Sequence, residues 1–333
     1  MNDYPSPIES FDNPLVSVII PAFNHEKYVQ KAIKSVIDQT YNNIELIVLN
    51  DGSKDDTHQQ IISMEVYCKN RFTSFAYINK NNEGLTITLN KGITLAKGDF
   101  ISLLASDDMF LPDKIEFLVK EFNALDNNYA LVSGDTDFID ADDNCVEVDL
   151  NGNIANDKTR LSFNSSIRFL TYRRINYDLQ RNFGTYESFF EGNYFSGLAA
   201  LIRKSSIIEM GLYDINTKLE DIDMWFRLSK KYKFKYVDKV LAHYRWHENN
   251  YIKTSSITVL DEFLKLLCRE KTFANESGLK KLWIKSFNFH VLLLLLRSPL
   301  MSSKYFRHAN LIYIVSIIAQ KAAIKLKKLV KHA

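Results

Sequence analysis

Apolar residues along the first third of the chain fall into short runs separated by stretches with helical spacing. Leu15–Ile20 (LVSVII) is stopped by Pro21, and Ile44–Leu49 (IELIVL) closes on Asn50-Asp51-Gly52; Phe72–Ile78 and Phe100–Leu104 repeat the pattern. Short apolar runs bounded by turn formers predict buried strands. Between them, Glu26–Asp38 carries Val29, Ile33, Val36 and Ile37 on one helical face. Further helices are predicted from Asp55 to about Cys68, over Leu85–Ala96, and from Pro112 to about Leu125, where proline is tolerated in a first turn. Strand and helix in alternation predict a parallel sheet covered on both faces, with ligands bound beyond the carboxyl ends of its strands. Asn24, Asp51, Asp107 and Asp108 fall at those ends.

From Asp135 to about Tyr194 the periodicity weakens and the segment turns polar and aromatic, as substrate-facing loops or an irregular insertion would. Ser196–Ile202 and Val240–Trp246 read as strands and Glu220–Lys231 as an amphipathic helix. Helices are predicted over Ile257–Phe273, Leu279–Leu296 and Tyr305–Val330. The expected organisation is a lead (1–13), an α/β domain (14–254, with halves 14–125 and 126–254) and a helical region (255–333).

Composition narrows the class. With 333 residues, 46% hydrophobic and 25% charged, the chain is neither disordered nor a stapled mini-protein. Cys68, Cys145 and Cys268 are far apart and lack metal-ligand spacing, which fits a reducing compartment. The first 14 residues hold Asp3, Glu9 and Asp12 and no apolar run, so no signal peptide is expected. Val291–Leu296 and Leu311–Ala319 fall short of the roughly 18–20 residues that span a bilayer, so the chain is not expected to cross one. Charge is asymmetric. Residues 277–333 hold eleven Lys and Arg and no acid, leaving 31 basic and 40 acidic residues in the first 276, a net of −9. An acidic body with a basic, apolar tail fits either contact with an anionic membrane surface or plain solvated helices, and no nucleic acid is expected. Near the end, Lys321, Lys325, Lys327, Lys328 and Lys331 alternate with apolar residues, a pattern for a helix lying at the headgroup boundary or packing against the catalytic domain or a second subunit.

Four clusters carry candidate chemistry. Asp51-Gly52-Ser53 is either a tight βα turn or a carboxylate for a nucleotide base or ribose. Ser106-Asp107-Asp108 puts adjacent carboxylates at a strand end, either as a capping pair or as oxygen ligands for Mg²⁺ or Mn²⁺ with diphosphate oxygens. Glu220-Asp221-x-Asp223 is an acidic first turn with an Asp223–Arg227 pair, or it holds a general base. His243, Arg245 and His247 alternate along a strand, as a cationic face toward a diphosphate or as structural side chains. Neither a phosphate-binding glycine loop nor a Gly-x-Ser-x-Gly elbow is present.

Taken in order, Val18–Asn24 (VIIPAFN), Val48–Asp55 (VLNDGSKD), Asn82–Leu85 (NEGL), Ala96–Asp99 (AKGD), Leu104–Asp108 (LASDD) and Leu219–Trp225 (LEDIDMW) resemble glycosyltransferase family 2, over about residues 14–250. The resemblance implies an inverting enzyme with the GT-A fold, a Rossmann-like nucleotide-sugar-binding domain with a mostly parallel central sheet. It implies that Pro21 and Phe23 line the uracil or thymine pocket, that Asp51 binds the base, that Asn24 belongs to the nucleotide-sugar site, and that Asn82 and Gly84 lie near the nucleotide. Asp107 would meet ribose or sugar and Asp108 a Mn²⁺ or Mg²⁺ ion, the family's Asp-x-Asp being Ser106-Asp107-Asp108 here. Asp221 would be the base, with Glu220 one position away as its rival. Arg245 would close on the diphosphate and His247 on metal or phosphate. The implied activity is transfer of a sugar from a UDP- or dTDP-linked donor to a lipid-linked glycan in bacterial O-antigen or capsule synthesis, at the cytoplasmic face of the inner membrane. A non-catalytic nucleotide-sugar-binding module is the alternative, though a binder needs no base. A nucleotidyltransferase would want a glycine- and arginine-rich loop after the first strand, which Pro21–Tyr28 lacks.

Overall fold

The structure, a computed structural model, describes residues 13–155, 161–172, 178–247 and 256–309. These divide into two compact units: the first runs to residue 247, and the second comprises the helices from Ser256 on together with the short pieces 190–192 and 217–219.

The first unit is built on a nine-stranded sheet. Strands β1 (Val16–Ala22), β2 (Ile44–Asp51), β3 (Ser74–Lys80) and β4 (Phe100–Leu103) pair in parallel in the order β3-β2-β1-β4. Every residue of β2 is buried, as are all of β1 but Pro21, which explains why both read as unbroken apolar runs. Helix α1 (Val29–Ile37) buries Val29, Ala32, Ile33 and Val36 against this sheet, the i, i+3, i+4, i+7 stripe of its sequence. The helix expected from Asp55 is two, α2 (Thr57–Ser63) and α3 (Glu65–Arg71), and α4 (Leu85–Leu95) follows β3.

After the two-residue strand β5 (Met109–Phe110) and helix α5 (Lys114–Asn123), the sheet changes direction. Strand β6 (Tyr129–Ile139), missed by the sequence reading, is 11 residues long and almost wholly buried. Its Gly134 and Asp135 break the apolar run, which hid the strand. Glycine is required there because a Cβ would collide with the backbone carbonyl oxygen of Lys239, as well as lie 2.6 Å from Leu241 Cδ1. β7 (Cys145–Val146) pairs with β6, and β8 (Val148–Asp149) with β9 (Ser162–Phe163). Helices α6 (Ser166–Thr171) and α7 (Leu179–Asn182) lead to β10 (Ala200–Arg203), which joins β4 and β6 antiparallel to each. Helices α8 (Lys204–Glu209) and α9 (Glu220–Ser229) precede β11 (Lys233–Arg245), parallel to β6 and antiparallel to β5. β11 begins seven residues before the predicted strand, because its first half alternates lysines with Phe234, Tyr236 and Val237.

In the second unit, α10 (Ser256–Glu276) and α11 (Lys280–Arg297) match the predicted helices within a few residues, and α12 (Pro299–Ser303) restarts at Pro299. Lys304–His308 form turns rather than the start of a helix, and the rest of the helix expected to Val330 lies outside the described residues. Among the described residues, no helix is long and apolar enough to cross a membrane.

Lys114, at the first turn of α5, is fully buried. Its Nζ donates to Ser102 Oγ and the Ala200 carbonyl (3.2 Å) and lies 3.6 Å above the Phe110 ring, with no carboxylate paired to it among the described residues. Burial holds this amine well below the usual lysine range. The unfolded chain therefore takes up a proton that the folded chain resists, so stability falls as pH drops from the unfolded pKa through the folded one. Lys114→Met should cost less at pH 7 than at pH 10, and Lys114→Ala should show the same pH difference on top of about 2–4 kcal/mol lost through its cavity. Thermal unfolding at the two pH values checks this; a larger Lys114→Met deficit at pH 7 would contradict it.

Candidate active site

Because β1, β2 and β4 are parallel, the loops after Ala22, Asp51 and Leu103 emerge at one edge of the sheet. Hydrogen bonds stitch them together. Asn24, with a left-handed φ of 54°, donates its N–H to Ser53 Oγ (2.9 Å), and its Oδ1 accepts from the N–H of Lys54 (2.8 Å). His25 N–H donates to Thr57 Oγ1 (2.8 Å), and His25 Nδ1 meets Ser106 Oγ at 2.7 Å, tying in the loop after β4. Pro21 is half-buried at the end of β1, and Phe23 stands 44% exposed beside it.

Asp51 is buried at the end of β2, where its carboxylate accepts from Lys80 Nζ and from the N–H groups of Glu83 and Gly84 (2.9 Å each). Burial pushes its pKa up, but Lys80 and the two amides outweigh it and hold the carboxyl below its ordinary value. The loop bearing Asn82 and Gly84 thus wraps onto Asp51. Gly52 (φ 72°) permits the approach, since a Cβ there would lie 2.6 Å from the Asn82 nitrogen.

The Ser106-Asp107-Asp108 turn is held by β11. Arg245 N–H donates to Asp108 Oδ1 (2.7 Å) and its Nε to the Asp107 carbonyl (2.7 Å). The same guanidinium donates to the Asp140 carbonyl (2.6 Å), pairs with Asp143 Oδ1 (2.7 Å) and lies 4.6 Å from the Tyr28 ring centroid. Arg245 is completely buried. This corrects the expectation of a diphosphate contact: its fork is already engaged by protein oxygens, so it positions the Asp107–Asp108 turn. His247 Nε2 meets Asp107 Oδ2 at 3.1 Å, and its ring stacks on Tyr28 (6.1 Å, 11°). His243, by contrast, pairs with Asp137 Oδ1 at 2.6 Å.

The two adjacent carboxylates titrate apart. Burial works against ionising either, but Asp107 is held below its ordinary pKa by the His247 hydrogen bond and the charge of His25. Asp108 is pushed well above it by burial and by the Asp107 charge. Among the described residues no three His, Cys, Asp or Glu side chains form a metal cage. A magnesium or manganese ion in a nucleotide site commonly takes one or two carboxylates, with phosphate oxygens and water completing the shell. A buried carboxyl whose ionisation is opposed only by burial and a neighbouring anion is the donor such a cation favours, and Asp108 fits.

Asp221 lies in the first turn of α9, half-buried. Its Oδ2 accepts from Asn193 Nδ2 (2.6 Å) and its Oδ1 from the Ile222 N–H (2.6 Å). Burial raises its pKa despite these bonds. Burial and the Asp221 charge push Glu220 up to about 8. Asp223 forms the anticipated pair with Arg227 (Nε–Oδ2 3.0 Å) and is structural. Sequence reasoning missed His25, Tyr28 and Asn193; His25 had a signal, since it directly follows the Pro21–Asn24 motif.

Residues 17–197, more than half the chain, match the pattern of Glycosyl transferase family 2. The chain belongs to that family. An uncharacterized glycosyltransferase of Rickettsia prowazekii is 30% identical over 270 residues, covering 78% of this chain and 74% of its own length. A second, from Rickettsia felis, is 29% identical over 236 residues; there the chain, matched over 70% of its own length, spans only 34% of the relative. Among solved structures, the mannosyltransferase PcManGT of Pyrobaculum calidifontis, in complex with GDP-Man and Mn²⁺, superposes with a TM-score of 0.60 at 14% identity, covering 98% of this chain and 84% of that one. The family 2 chain thus has the GT-A fold, with a mostly parallel sheet and a helical C-terminal part.

Proposed function

We propose that the protein transfers a sugar from a nucleoside-diphosphate donor to a hydroxyl of a lipid-linked glycan, with inversion at the anomeric carbon. The observation that carries this reading is the Asp107–Asp108 turn, pinned by Arg245 and flanked by His25 and His247 at the carboxyl edge of the parallel strands. Asp51 and the Asn82–Gly84 loop receive the base, with Pro21, Phe23 and Asn24 beside it, and Asp107 receives the ribose or the sugar. Asp108, with His247 near it, would hold Mn²⁺ or Mg²⁺, which when bound neutralises charge on the departing diphosphate. Asp221 takes the proton from the acceptor hydroxyl as its oxygen attacks the anomeric carbon, and Asn193 aligns that carboxylate. Attack comes from the face opposite the leaving group, so the configuration inverts.

The acceptor is proposed as a bacterial surface-polysaccharide intermediate carried on lipid, reached by peripheral contact of the basic C-terminal region with an anionic membrane. Exposed Leu296 and Leu300 and the absence of any acid after Glu276 support that contact. The test is a panel of nucleotide sugars screened for nucleoside diphosphate release with a lipid-diphosphate acceptor. Release with one UDP- or dTDP-linked sugar, dependent on both acceptor and divalent metal, is expected. Tight donor binding with no release under any pairing would favour a binding module instead.

A further inference from the structure

The second unit contains a cavity of about 300 Å³ lined by Lys265, Cys268, Lys304, Tyr305, Arg307 and His308. No carboxylate lines it. Asp261 and Glu262 are buried, and they fix the lysines: Lys304 Nζ reaches Asp261 Oδ1 at 2.6 Å, and Lys265 Nζ reaches Glu262 Oε1 at 2.7 Å and Asp261 Oδ2 at 3.4 Å. Tyr305 Oη completes this support by donating to Asp261 Oδ1 (2.9 Å). Arg307 has no carboxylate among the described residues; its Nε donates to His308 Nε2 at 3.0 Å, which makes that ring nitrogen an acceptor. Burial, followed by the charges of Lys271 and Arg307, holds His308 below its ordinary pKa. One helical turn before Lys304, Leu300 is 90% exposed, and Leu296 is 71% exposed at the end of α11. Cations held in place around a concavity, beside apolar side chains left in solvent, match a headgroup phosphate with its acyl chains alongside.

We propose that Lys265, Lys304, Arg307 and His308 form a binding pocket for the phosphate of an anionic phospholipid. The proposal rests on the reading that this chain is membrane-associated, and it names the residues and chemistry that would make the contact specific. The pocket differs from a diffuse basic surface in a measurable way: a charge at Arg307 counts for more than the same charge elsewhere on these helices. Arg307 is exposed, so its replacement should not unfold the protein.

Flotation of the full chain with phosphatidylglycerol-containing and with pure phosphatidylcholine vesicles tests it, using Arg307→Glu and, as a charge-matched control, Lys285→Glu on the exposed face of α11. Wild type should partition onto the anionic vesicles, Arg307→Glu should lose on the order of tenfold, and Lys285→Glu should lose several-fold less. Equal losses in the two variants, or none, would overturn the pocket while leaving membrane association standing. No preference of the wild type for anionic vesicles would overturn both. Displacement from vesicles by low millimolar glycerol phosphate would assign the pocket to a free phosphate and remove the lipid from the proposal.

Discussion

Asp221→Asn should lower kcat by roughly 10²–10⁴-fold, the contribution of a general base, while donor affinity stays within a few-fold of wild type. The amide keeps the side chain's shape and an oxygen to accept from Ile222 or Asn193, so the first turn of α9 should persist. Its pH dependence follows from the environment. A base acts deprotonated, and burial raises Asp221 while Glu220 is pushed up to about 8. The acid limb of kcat/KM should therefore lie above the ordinary carboxylate range near 4, with activity rising as pH climbs through it. Asn193→Leu removes a hydrogen bond that favours the charged form, so it should move that limb further up. A collapse of donor affinity in Asp221→Asn, with normal turnover of bound donor, would make the residue a structural cap. A larger kcat loss in Glu220→Gln would move the base by one position.

Asp108→Asn should remove most transferase activity and the metal response with it. Divalent metals supply several kcal/mol of charge stabilisation to a departing diphosphate, so a loss of about 10²–10³-fold is expected. The variant should fold, because an asparagine oxygen can still accept the Arg245 N–H that Asp108 Oδ1 now accepts. It should even be somewhat more stable without metal, since it no longer buries an ionisable group beside Asp107. Isothermal titration of Mn²⁺ in the presence of nucleoside diphosphate, with wild type and variant side by side, reads the loss directly. Full activity in Asp108→Asn, or in wild type with excess chelator, would refute the assignment.

The parallel half of the fold was legible because burial on both faces leaves unbroken apolar runs such as Ile44–Leu49, which end on polar residues at the carboxyl edge of the sheet. The half that includes the antiparallel pairings was legible only in part: α9 and parts of β10 and β11 were read, and β6 was not. β6 carries Gly134, Asp135 and Asp137 inside a buried strand, and Asp135 is satisfied there by Ser165, Ser166 and the Ile167 N–H. Those partners lie some 30 residues away, where no periodicity points to them. Site chemistry divides the same way. Asp51, Asp107, Asp108 and Asp221 stand in local motifs that the sequence displays. The groups that orient them, Lys80, Arg245, His25 and Asn193, act across loops. Arg245 was recognised as part of the constellation but given the wrong task, because its burial under Tyr28 and the Asp140–Asp143 loop depends on tertiary packing alone.

The anomeric configuration of the first-formed product tests the central claim most directly. Once the productive donor is known, proton NMR of the product during the first turnovers should show the anomeric centre opposite to that of the donor, in a form that Asp221→Asn fails to accumulate. Retention of the donor's configuration would contradict a single displacement driven by one base.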